Sequence, residues 1–132
     1  MPESSSKGIE GGRAAFAYEC ASKAKDQSYK EKYKSHVKEI PVFIKTNGLG
    51  QTFAFVNSKK NSKDGEAYKL IYDQTSEWLS KNGFINSNDD MVKQIISKAS
   101  LDYRQLTIEV ISLFVWLRRF ADGLIEGDSK NV

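Results

Sequence analysis

The stretch 100–122, SLDYRQLTIEVISLFVWLRRFAD, sets the strongest limit on what this chain can become. Tyr103, Leu106, Val110, Leu113, Phe114, Leu117 and Phe120 recur at spacings of three and four, the period of an α-helix and not the alternation of a strand. Ile108, Ile111 and Val115 add a second apolar face, so this helix is expected to lie between neighbours as the central element. Its polar exceptions are Arg104, Glu109, Arg118 and Arg119.

The rest of the chain supplies those neighbours. Residues 1–12 carry three glycines and no apolar period, which predicts a flexible lead-in with the fold starting near Arg13. Ala14, Ala17, Tyr18, Ala21 and Ala24 then mark a helix with a small-residue face suited to close packing. Ser28-Tyr29-Lys30-Glu31 has the form of a capping box for the next helix, whose stripe Tyr33, Val37, Ile40 and Ile44 is expected to be buried. Pro41 either kinks this helix or opens a new one. Phe53 to Val56 reads as a short helix, 57–65 as a polar loop, and Ala67, Leu70, Ile71, Gln74, Trp78 and Leu79 as a further helix stopped at Gly83. Ser87 to Asp90 caps a short helix carrying Val92, Ile95 and Ile96. No segment alternates like a strand. The expectation is an all-α fold: one compact bundle of five or six helices over 13–123, with a flexible tail over 124–132.

At 132 residues the chain suits one domain with one core. Its net charge of +3 conceals a segregation. Between Lys23 and Lys63 ten lysines stand against three acids, whereas residues 70–132 carry seven bases and nine acids. A polyanion on one side and protein on the other would suit such a distribution. On the helical wheel Lys30, Lys34, Lys38 and Lys45 lie within about 80° of one another beside the buried stripe, provided that Pro41 does not break the phase. Tyr29, Tyr33 and His36 border that row, and the tyrosine rings would offer base stacking if exposed.

Chemistry is harder to find. Cys20 is the lone cysteine and His36 the lone histidine, so the sequence offers no metal-ligand cluster and no internal disulfide. A helical cysteine among alanines reads as a small core residue. With no apolar signal region and no run of about 18 apolar residues, the expected setting is soluble and cytoplasmic, without membrane contact. Gly48-Leu49-Gly50 supplies two glycines of a dinucleotide fingerprint, but Phe53 occupies the third place and the preceding segment is helical. The pair is better read as a helix junction, with Asn47-Gly48 ending one helix and Gly50 allowing close approach. Leu49, Phe53 and Phe55 would then anchor the turn to the core. No catalytic residues, cofactor or metal are expected.

Several blocks are familiar in combination. Arg13 with Ala17-Tyr18-Glu19, Ile40-Pro41, the run Ile44-Lys45-Thr46-Asn47-Gly48-Leu49-Gly50-Gln51-Thr52-Phe53-Ala54-Phe55, Trp78-Leu79, Tyr103-Arg104-Gln105-Leu106-Thr107 with Glu109, and Trp116-Leu117-Arg118-Arg119-Phe120-Ala121 together resemble the small subunit of the type III-B CRISPR RNA-targeting (Cmr) effector complex. The resemblance implies a non-catalytic subunit that lines up in several copies beside a filament of repeated backbone subunits and touches the large polymerase/cyclase-like subunit. It implies a role in stabilising the assembly and lining a basic channel for target RNA paired to the guide. Lys45, Asn47, Gln51, Arg104 and Arg119 are the polar members of the matching blocks expected to reach RNA or a neighbouring subunit, with Lys59 at the edge of the glycine block. Lys30, Lys34 and Lys38 join them on charge geometry alone. A purely structural adaptor, with no RNA contact, is the alternative.

Overall fold

The computed structural model describes residues 2–126, with side chains from Gly8 onward. It contains six helices and, among the described residues, no strand: α1 (Pro2–Lys25), α2 (Lys30–Asn47), α3 (Leu49–Lys59), α4 (Glu66–Lys81), α5 (Met91–Ile96) and α6 (Ser100–Leu124). The α6 helix packs along α1 and α2 and touches α5, while α3 lies against α2, α4 and α5. Leu106, Val110, Leu113, Phe114 and Leu117 supply the α6 side of one continuous core. Ala17, Ala21 and Ala24 are fully buried, as a small-residue face on α1 requires for close approach.

Helix α2 runs unbroken through Pro41, and Ile44 beyond it is buried on the same stripe as Tyr33, Val37 and Ile40. The phase therefore holds, and Lys45 stays in register with the lysines before it. Gly48 ends α2 at φ +91°, a backbone state that favours glycine, and α3 starts at the next residue. Gly83 takes φ +79° after α4, as its place behind the last helical residues predicts. Asp90 caps α5 through Lys93 N–H at 3.4 Å.

Four expectations change. The first helix begins at Pro2, ahead of Arg13, with Gly8 at φ +67° interrupting it. The Ser28 capping box does not form, because α2 starts at Lys30 behind Tyr29 with no side-chain cap. The second apolar face expected on α6 is covered only in part: Ile111 is half-buried against the core, whereas among the described residues nothing covers Ile108 and Val115, which are exposed. Phe55 also stays at the surface, unlike Leu49 and Phe53, which are fully buried. Of the tail expected over 124–132, Ile125 is buried and 127–132 lie outside the described residues.

Candidate nucleic-acid interface

Two polar staples decide which side chains remain available at the surface. Arg13 on α1 donates to both carboxylate oxygens of Glu109 on α6, Nε to Oε2 at 2.9 Å and Nη2 to Oε1 at 2.8 Å. Trp78 on α4 donates its indole N–H to the same carboxylate at 2.7 Å. Burial alone pushes the Glu109 carboxyl up, but the hydrogen bonds from Arg13 and Trp78 more than offset it and hold the group below the usual carboxylate range. The second staple ties the glycine junction to α6: Gly50 N–H donates to Tyr103 Oη at 2.9 Å, and a Cβ at Gly50 would meet Ile96 at 3.3 Å and that hydroxyl at 3.4 Å. Three of the sequence blocks meet at the first staple and two at the second. Their shared residues hold helices together.

Other polar groups are also consumed internally. Tyr33 is fully buried and donates to Gln74 at 2.6 Å, so it cannot stack on a base. Tyr29 is only half-buried. His36 lies stacked on Tyr68, with ring centroids 3.9 Å apart, and burial lowers its pKa despite Glu39 nearby. It is a neutral ring in a packed stack at neutral pH and adds no charge to the lysine row. Cys20 is buried, and that burial pushes its thiol up to about 12, which suits the core role expected of it.

The nine candidate residues fall on three separate surfaces. Lys30, Lys34, Lys38 and Lys45 occupy one flank of α2, as their helical register dictates. Lys34 is held down there, its ammonium donating to the Ile125 carbonyl at 3.0 Å, where the C-terminal end of α6 favours a cation. Lys30 is half-buried, and Lys38 and Lys45 are exposed. Among the described residues no carboxylate comes within ion-pair distance of Lys38 or Lys45. These two are the open charges of the row.

Asn47 and Gln51 lie on the other flank, at the elbow where α2 turns into α3. They line an open groove of about 240 Å³ with Phe43, Thr52 and Phe55. Phe43 and Phe55 meet edge to face, centroids 6.3 Å apart, and Phe55 continues edge to face onto Tyr68 at 5.8 Å. Lys59 reaches over the Phe55 ring at 5.6 Å. Sequence reasoning missed the two phenylalanines as surface groups. The signal was present: Phe43 and Asn47 are one turn apart on α2, and Gln51, Phe55 and Lys59 follow at the same spacing on α3.

Arg104 and Arg119 belong to the third surface, the uncovered face of α6. Both are exposed, on the stripe that also holds Leu101 at 70% exposure, Ile108 at 57% and Val115 at 52%. Among the described residues there is no grouping of three or more side chains that could hold a metal ion, and no helix is long and apolar enough to cross a membrane.

Comparison with known proteins adds three findings. Residues 9–124 match the model of a family described as CRISPR-associated protein (Cas_Cmr5). A curated relative, the CRISPR system Cmr subunit Cmr5 of Thermus thermophilus, is 29% identical over 113 residues, covering 86% of this chain and 92% of that protein. The crystal structure of a CRISPR-associated Cmr5 family protein from Thermus thermophilus superposes with a TM-score of 0.75 at 28% identity, over 89% of this chain and 97% of the other.

Proposed function

The chain belongs to the Cas_Cmr5 family, the small subunits of type III-B CRISPR (Cmr) effector complexes, and on that premise we propose that it stabilises such a complex and gives it a basic surface for RNA. The observation that carries this reading is the α2 flank, where Lys38 and Lys45 project without a counter-ion among the described residues. Open ammonium groups on a rigid helix neutralise phosphates without reading sequence, which leaves base identity to guide pairing. Cleavage belongs to other subunits in this reading, and the small subunit has no catalytic step of its own. The partners are the repeated backbone subunit, the large polymerase/cyclase-like subunit, further copies of the chain, and target RNA, alone or paired to the guide. The cytoplasm is the compartment proposed.

Crosslinking in an assembled complex tests the RNA contact. With labelled target RNA bound, a photoreactive group at position 45 should capture RNA. An adaptor without RNA contact would yield only protein adducts from that position.

The uncovered face of α6 supports the protein-binding half of the reading. Three large apolar side chains on one helical stripe, flanked by Arg104 and Arg119, have the make-up of an interface core with a charged border. Ile108→Glu should leave the stability of the free chain within about 0.5 kcal/mol of the parent, as exposed substitutions do. It should prevent recovery of the subunit with its complex, and undiminished co-purification would remove this face from the assembly.

A further inference from the structure

The groove at the α2–α3 elbow is not explained by charge neutralisation, because it lies on the opposite flank of α2 from Lys38 and Lys45. We propose that it is a nucleobase site, taking one unpaired base of single-stranded RNA against the Phe43 and Phe55 rings, with the Asn47 and Gln51 amides meeting the base edge. The inference rests on the RNA-contacting reading above and specifies a second mode of contact within it.

Four observations point to this occupant. First, Phe43 and Phe55 are 37% and 41% exposed, although both are large rings on well-packed helices. An exposed ring is a stacking platform that accepts any base. Second, the amides of Asn47 and Gln51 line the groove and, among the described residues, have no protein hydrogen-bond partner, whereas Thr52 spends its hydroxyl on the Gly48 carbonyl at 2.8 Å. An amide offers donor and acceptor together, the complement of a base edge. Third, at about 240 Å³ the groove falls below the ~300–1,000 Å³ of clefts for drug-sized ligands and suits a single flat ring system. Fourth, a base brings its phosphates with it, and a cation must stand beside the rings to meet them. Lys59, above Phe55, is the one placed to reach such a phosphate. A nucleotide uses rings, amides and a cation side by side, and a protein segment in its place is an outcome of the test below.

The full chain is titrated at low salt with a short single-stranded RNA and with an abasic sugar-phosphate strand of equal length. The parent should prefer the RNA by about ten-fold, the lower part of what one stacked base contributes. Phe43→Leu/Phe55→Leu keeps apolar volume at the elbow and should bring RNA binding down to the abasic level, with the salt slope unchanged. Asn47→Ala/Gln51→Ala, which leaves the rings in place, should lose part of the preference. A parent that binds both strands equally, or a leucine variant that keeps the preference, overturns the base site and leaves the lysine reading standing. A parent that binds neither strand overturns both. If the leucine variant binds RNA normally but no longer joins the complex, the groove is a protein contact and the proposal is wrong.

Discussion

The Arg13–Glu109 pair and the Lys38–Lys45 flank use the same kinds of charged side chain for opposite ends. At the first, a half-buried guanidinium and a buried carboxylate are paired through two hydrogen bonds and joined by the Trp78 indole. On the second, ammonium groups remain in water with no carboxylate close by among the described residues. Burial, and not residue type, decides whether a charge holds the fold or waits for a ligand. A buried charge that loses its partner is left unsolvated, whereas an exposed one is solvated whether or not it has a partner.

Substitutions should therefore form a graded series in stability. Glu109→Ala leaves the Trp78 N–H without an acceptor and Arg13 with only its exposed partner Glu10, and should cost about 2 kcal/mol, read by denaturant unfolding. Trp78→Phe removes one hydrogen bond to a charged acceptor and should cost about 1.5 kcal/mol. Lys34→Met releases the α6 terminus and should cost roughly 0.5–1 kcal/mol. Lys38→Gln/Lys45→Gln should stay within about 0.5 kcal/mol of the parent. A large loss at the last pair would mean that these lysines serve the fold, and the contrast would collapse.

Acid sharpens the same contrast. The folded-state pKa of Glu109 lies below its ordinary value of 4.5, so its contribution is complete above that value and is lost as pH falls through the lower folded-state value. Melting temperature should drop in that window for the parent, and Glu109→Gln should lack this component. An identical acid profile for the two proteins would show that the carboxylate is not held as described.

The sequence made the helices legible because their apolar period is strong, and α2, α4 and α6 bury the stripes that it predicts except at Leu70, Tyr103 and Phe120, which are half-buried. It could not tell which apolar face of α6 would find a neighbour, since Ile108 and Leu113 look alike until the bundle closes. The Ser28 box did not form because local turn bonds, Gln27 N–H to Ala24 and Lys30 N–H to Gln27, carry the chain one residue further before α2 starts behind Tyr29. Asn47 and Gln51 were visible as polar members of a glycine block, but the groove they share with Phe43 and Phe55 exists only because Gly48 turns α3 back beside α2. The lysine row was readable from its spacing. The tether of Lys34 to Ile125, 91 residues away, was not.

If open lysines on one flank of α2 meet RNA phosphates, RNA binding must depend on salt through those lysines. The deciding experiment is the salt dependence of single-stranded RNA binding by the parent and by Lys38→Gln/Lys45→Gln, between ~50 and ~200 mM salt. Loss of two phosphate contacts should weaken binding alike for all sequences and flatten the log–log slope by about 1.4, at roughly 0.7 per contact on a single strand. An unchanged slope and affinity in a folded double variant would contradict the RNA-contacting role of this flank.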